Sequence, residues 1–207
     1  MAEHKSEALC PAEDHLEAKT YLDANELLEL SFALANQIIE SGFVPTHIVG
    51  IWRGGSPIGI AVQELLEYRG IPTDHIAIRT SSYSGIGQQA RQVKVYGLGY
   101  LIDMLNAEDR MLIVDDVFDT GKSVEAFIKE LRLRCRRNTP ETIRIATVFY
   151  KPSKNQTDLT PDFYIRATED WLIFPHEIVG LTPEEIATNK QSAAQILKHT
   201  DPQGDAA

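Results

Sequence analysis

Leu112-Ile113-Val114-Asp115-Asp116-Val117-Phe118-Asp119-Thr120-Gly121-Lys122-Ser123 begins as a strand and ends as the first turn of a helix. The apolar run Met111 to Val114 has the composition of a strand buried on both faces. Beyond Ser123, apolar residues fall at Val124, Phe127, Ile128 and Leu131, the spacing of one helical face. A strand that passes through a tight loop into a helix N-terminus makes an anion site. The first backbone N–H groups of the helix lack intrahelical acceptors, and the helix dipole favours negative charge there. Thr120 and Ser123 add hydroxyl donors, while Asp115 and Asp116 suit sugar hydroxyls or a metal ion. One loop thus implies phosphate, sugar and metal together.

Gly121-Lys122-Ser123 resembles the tail of a nucleotide-triphosphate P-loop. That motif needs a glycine five residues before the Gly-Lys pair. Asp116 stands there, and its carboxylate would repel phosphates, so a P-loop is excluded. The run of hydrophobic strand, two acids, three residues and Thr-Gly instead closely resembles the phosphoribosyl-diphosphate (PRPP) signature of type I phosphoribosyltransferases. The resemblance implies that Asp115 and Asp116 accept hydrogen bonds from the ribose 2′- and 3′-hydroxyls. It makes Asp119, Thr120, Gly121, Lys122 and Ser123 the 5′-phosphate loop, with Asp119 also reaching the purine N7 as the catalytic proton acceptor.

Composition sets the frame around this motif. A chain of 207 residues is expected to form one α/β domain with a substantial core. A formal charge of −10 and a pI near 5.0 argue against nucleic acid and anionic membranes as partners. Cys10 and Cys135 give neither a disulfide framework nor metal-ligand spacing, which fits a cytoplasmic setting. No apolar run approaches the ~18 residues of a membrane span. Residues 1–20 read as a polar lead without the apolar core of a signal peptide, and residues 21–207 as a single domain.

Asp23 can cap a helix whose Leu27, Leu30, Leu34 and Ile38 share one face and which stops near Ser41-Gly42. A strand from His47 to Trp52 then leads through Arg53-Gly54-Gly55 to a helix from about Ile58 to Tyr68. Two glycines admit backbone N–H groups to an oxyanion, and Arg53 brings a fixed positive fork. In the resembling family this is the pyrophosphate loop, formed by Arg53, Gly54 and Gly55, and a cis peptide is expected at Trp52–Arg53. A strand from His75 to Thr80 enters the polar, glycine-punctuated residues 81–91, expected to be mobile. The resemblance makes them a flap over bound PRPP, with Ser82 and Tyr83 as its recurring pair, and Val93 and Val95 suggest a returning strand. A short helix is expected from Leu98 to Asn106. Arg132, Arg134, Arg136 and Arg137 end the signature helix and compensate its dipole.

A strand from Glu141 to Tyr150, with Ile143, Ile145, Thr147 and Phe149 alternating, delivers Lys151 to the strand end where α/β sheets bind ligands. A short strand follows at Pro161 to Ile165, and then Trp171, flanked by acids, which can plug a core or stack on a planar base. By resemblance to purine phosphoribosyltransferases, the base stacks on Trp171. The backbone of Leu172 meets the base edge, and Lys151 donates to a 6-oxo group. Glu177 matches an acidic position that can hold a second Mg²⁺. His176 departs from the aromatic common there. Thr182, Pro183 and Glu185 start a last helix that should carry to about Lys198.

The resemblance spans about His47 to Glu177. It implies a mostly parallel twisted sheet with helices on both faces, and a small hood from the N-terminal helix and residues of about 160–180. It also implies Mg²⁺ as cofactor, PRPP and a 6-oxopurine as substrates, and a homodimer or homotetramer. A PRPP-sensing regulator of the same fold would need a basic face or a DNA-binding domain, which the acidic charge and short lead oppose. An enzyme for adenine or a pyrimidine is the other alternative, opposed by Lys151 and Trp171.

Overall fold

A computed structural model describes residues 19–83 and 92–197. Its main sheet has six strands: β2 (His47–Trp52), β3 (Asp74–Tyr83), β4 (Gln92–Tyr96), β5 (Arg110–Phe118), β6 (Thr142–Tyr150) and β7 (Phe163–Ala167). Their spatial order is β4-β3-β2-β5-β6-β7, and every pairing is parallel except β3 with β4. Helices α1 (Ala24–Glu40) and α2 (Gly55–Tyr68) cover one face; α3 (Gly99–Met104) and α4 (Lys122–Cys135) cover the other. The expected α/β architecture is present.

The central strands show why periodicity alone is mute about their faces. Leu112 and Val114 point into the core shared with α1 and α2, whereas Met111 and Ile113 point into the core shared with α3 and α4. Both sets are buried, as a parallel sheet with two covered faces requires. The same holds for β6, where Ile145 to Phe149 are all buried, so the expected alternation marks two cores, not one face in water.

Several boundaries differ from the sequence-based expectation. Asp23 caps α1 as expected, accepting from the N–H groups of Asn25 at 2.8 Å and Glu26 at 3.4 Å, and Gly42 ends it at φ +77°. The α1 stripe Leu27, Leu30, Leu34, Ala35 and Ile38 packs on α2 and the main sheet, in a core that also takes in Leu22, Leu172 and Phe174. A separate pair of short strands, β1 (Lys19–Tyr21) and β8 (Trp171–Ile173), runs in parallel. α2 begins at Gly55, three residues earlier than expected, and β7 is shifted two residues onward to Phe163–Ala167.

The last helix is two: α5 (Pro183–Asn189) and α6 (Gln191–Leu197). The expected capping box is formed, with Thr182 Oγ1 accepting from Glu185 N and Glu185 Oε2 from Thr182 N. The break falls at Lys190, whose backbone leaves the helical region at φ −131°. Arg136 and Arg137 lie in a 3₁₀ turn beyond α4, leaving Arg132 and Arg134 in its last turn. No helix among the described residues is long and apolar enough to cross a membrane.

Candidate active site

Chain direction concentrates the chemistry at one edge of the sheet. From β2 the chain passes through α2 to β3 on one side; from β5 it passes through α4 to β6 on the other. Because α2 and α4 lie on opposite faces, the connections diverge between β2 and β5 and open a crevice at the strands' carboxyl ends. The loop after β2 carries Arg53 and Gly54, and the loop after β5 carries Asp119 to Gly121. The Trp52–Arg53 peptide is cis, as expected.

The glycines of the first loop are fixed by close approach to the second. A Cβ on Gly54 would stand 1.6 Å from Asp116 Oδ2, and one on Gly55 would stand 2.3 Å from the Val114 carbonyl oxygen and 2.9 Å from Asp115 Cα. Only glycines let this loop lie on the acid pair. The acids themselves belong to β5, which runs on to Phe118 and does not end at Val114 as its apolar run suggested.

Asp115 and Asp116 are half-buried neighbours. Asp115 Oδ1 accepts from Asp116 N at 2.9 Å, and Asp116 Oδ1 accepts from Val117 N at 2.8 Å. Burial, reinforced by the Asp116 charge, pushes the Asp115 carboxyl well above the usual carboxylate range. Burial also raises Asp116; its bonds with Asp115 and Val117 N and nearby His176 hold it down in part, while Glu177 opposes them. Such a pair gains from any ligand that donates hydroxyls or brings positive charge.

In the phosphate loop, Gly121 sits at φ +75° at the start of α4, where a Cβ would meet Thr157 Oγ1 at 2.5 Å and the Phe118 ring at 2.9 Å. Behind it the Thr120 carbonyl accepts from Gln156 N at 3.0 Å, so residues 155–157 buttress the turn. The α4 N-terminus, with Ser123 in its first turn, faces outward from this support. Asp119 Oδ1 is buried and has no hydrogen-bond partner among the described residues. A buried carboxylate oxygen left open is costly unless a ligand uses it.

A cleft of about 250 Å³ adjoins this point and gathers Asp116, Asp119, Lys151, Trp171, Leu172 and Glu177. These six come from three segments of the chain, around 116–119, 151 and 171–177. Lys151 is buried at 6% exposure, its backbone N–H held by the Phe118 carbonyl at 2.9 Å. Trp171 keeps 53% of its surface exposed while forming a wall of the cleft. The Glu177 carboxylate accepts from Phe174 N at 3.0 Å. Val117, Lys154 and Phe174 also line the cleft and escaped the sequence reading. Lys154 could have been suspected from its place three residues after Lys151; the apolar Val117 and Phe174 read only as core.

Arg53, Gly54 and Gly55 do not line this cleft; they lie on the other side of the acid pair. Ser82 and Tyr83 end β3, with their backbones paired to Val93 and Gln92 of the returning β4. The expected flap otherwise falls on residues 84–91, outside the described residues.

Among the described residues no cluster of three or more His, Cys, Asp or Glu side chains could cage a metal ion. Burial disfavours ionisation of both Asp115 and Asp116, and the Asp116 charge adds to this at Asp115, so a nearby cation would favour their charged forms. Glu177 has one carboxylate oxygen committed to Phe174 N.

No curated protein sequence matches the chain. Among solved structures, a purine phosphoribosyltransferase from Pyrococcus horikoshii aligns at 28% identity and a TM-score of 0.60, over 79% of this chain and 97% of that one. A hypothetical protein from Neisseria gonorrhoeae with bound ppGpp aligns at 19% identity and a TM-score of 0.66, over 86% and 99%. A Helicobacter pylori xanthine-guanine-hypoxanthine phosphoribosyltransferase aligns at 20% identity and a TM-score of 0.61, over 78% and 95%. The last two, at such identity, speak for the fold alone. The phosphoribosyl transferase domain model matches residues 17–182, and with the two loops meeting at the strand ends, the chain belongs to that family.

Proposed function

We propose that this chain transfers the 5-phosphoribosyl group of PRPP to a 6-oxopurine (hypoxanthine, guanine or xanthine), releasing pyrophosphate and the nucleoside 5′-monophosphate. The observation that carries the reading is the cleft that joins Lys151, Trp171 and Asp119. Its roughly 250 Å³ is below the ~300–1,000 Å³ of sites for drug-sized ligands, which suits a single planar base. The likeness to a purine phosphoribosyltransferase at 28% identity supports the same substrate class.

Anomeric substitution on a ribosyl diphosphate passes through a cation-like sugar and a departing anion. No covalent nucleophile is required; the protein must hold the partners in line and stabilise the leaving charge. Arg53 and the Gly54 and Gly55 backbone take the pyrophosphate. Asp115 and Asp116 accept from the ribose hydroxyls, and Thr120, Gly121, Lys122 and Ser123 hold the 5′-phosphate at the α4 N-terminus. Asp115 and Asp116 are the residues that would hold Mg²⁺, which would supply positive charge against the pyrophosphate. Asp119, with its open buried oxygen, accepts the purine proton. Lys151 donates to O6 while the base stacks on Trp171, with the Leu172 backbone at its edge. Glu177, through water or directly, offers a place for a second cation.

The test is direct. Protein incubated with PRPP, Mg²⁺ and each of several nucleobases is expected to form the monophosphates of one or more 6-oxopurines. Pyrimidine nucleotides alone, or no nucleotide from any base, would overturn the reading.

A further inference from the structure

The matched domain ends at residue 182, yet a residue beyond it bonds a residue of the cleft wall. Lys190, only 9% exposed at the break between α5 and α6, donates from Nζ to the Phe174 carbonyl at 2.6 Å. Phe174 forms part of the cleft wall two residues after Leu172. Its N–H goes to Glu177 Oε2 at 3.0 Å, so both ends of this residue's backbone are held by charged groups. Its ring is buried, edge-on to Phe149 and stacked on His176.

An ammonium is costly to bury and earns its place only by a specific bond. The bond is made at the residue where α5 ends, with Lys190 at φ −131°. A second tie runs in parallel: Lys19 Nζ meets Glu185 Oε1 at 2.7 Å, joining β1 to α5. Lys19 pairs with Trp171 across the β1–β8 ladder. The C-terminal helices therefore hold the base-facing strand through its neighbour β1 and, by way of Lys190, through its own backbone.

We propose that Lys190 is a positioning residue for the purine: by holding the Phe174 carbonyl it fixes the Leu172–Phe174 backbone at the base edge and so sets base affinity. This rests on the base-transfer reading above. The role concerns the base and not PRPP, because the phosphate, ribose and pyrophosphate groups are read by the loops after β2 and β5, which Lys190 does not touch.

Steady-state kinetics on Lys190→Met and Lys19→Met test it. For Lys190→Met the expected result is a base KM raised about tenfold or more, with PRPP KM within about twofold and kcat within about threefold. Lys19→Met loosens the same hood without freeing the Phe174 carbonyl, and it should lower Tm while leaving base KM within about twofold. Should Lys190→Met fail to fold, Lys190→Leu replaces it, with the same rise expected from loss of the donor. A base KM within twofold of wild type, or equal rises for base and PRPP, overturns the proposal. Wild-type protein that takes no purine removes the base-transfer reading and this proposal together. Purine-active wild type with an indifferent Lys190 variant removes this proposal alone.

Discussion

Gly54→Ala separates a functional contact from a structural one. Gly54 lies at φ −65°, where alanine is at ease, so the backbone adds no penalty. The new methyl would lie 1.6 Å from Asp116 Oδ2 and 2.2 Å from its Cγ, far inside the ~3.5–4.0 Å of normal packing. Only the carboxylate stands in the way, and it can swing aside. Asp116 then points away from the ribose, and a hydrogen bond to a charged acceptor, worth about 1.5–3 kcal/mol, is lost. That corresponds to a PRPP Kd weaker by about 10- to 100-fold, with little change in Tm. Gly55→Ala is the counterpart. Its methyl meets backbone at 2.3 and 2.9 Å, which cannot rotate away. Overpacking of this kind costs about 1–3 kcal/mol, or about 2–4 °C of Tm per kcal/mol in a chain of this size. Titration calorimetry with PRPP and Mg²⁺, paired with thermal unfolding, reads both. Wild-type PRPP affinity in Gly54→Ala would refute the placement of Asp116 on the ribose.

Other expectations concern the carboxylates and Lys151. Asp119→Asn should keep PRPP affinity within a few-fold and lower turnover about 10²-fold or more, as loss of a general base does; unchanged kcat across purines removes that role. Asp115 has a folded-state carboxyl raised above its unfolded value, chiefly by burial. Its proton is therefore bound more tightly by the folded chain, and stability falls as pH rises from the ordinary carboxylate range through the folded value. Asp115→Asn should thus raise stability at pH 7 by the about 0.5–2 kcal/mol typical of relieving a functional site, read as a higher Tm, and the gain should shrink toward pH 4. A Tm gain independent of pH contradicts the stated cause. Lys151→Ala should cut 6-oxopurine kcat/KM far more than it changes PRPP binding, which isothermal titration of both ligands would check.

Residue chemistry in short loops was the most legible part of the sequence. Asp115 to Ser123 stood out by its spacing, whereas Arg53 to Gly55 and Lys151, which alone read as an ordinary turn and a surface lysine, gained meaning only from the resemblance carried by that motif. Packing was less legible. Leu27, Leu30, Leu34 and Ile38 identify a helix and its buried face but not what covers that face, which is α2, the main sheet, and Leu172 and Phe174 together. The pairing of β1 with β8 joins residues about 150 positions apart, and the three-residue strands carry too little pattern to find each other on paper. Lys190 was invisible for a related reason. Its helix-friendly neighbours mask the break at Lys190, and the carbonyl that accepts its ammonium lies 16 residues back in the chain.

Base choice tests the account most directly. Lys151 has donors and no acceptor, so a 6-oxopurine offers it O6, whereas adenine would face it with another donor. A closed site that reads such a group discriminates by ~10⁴-fold. Trp171 cannot supply that selectivity, since every base has a π-face to stack. The measurement is kcat/KM for adenine and for the best 6-oxopurine with the wild-type protein at saturating PRPP and Mg²⁺. A ratio near 10⁴ in favour of the 6-oxopurine is predicted; comparable values for the two bases would contradict the account.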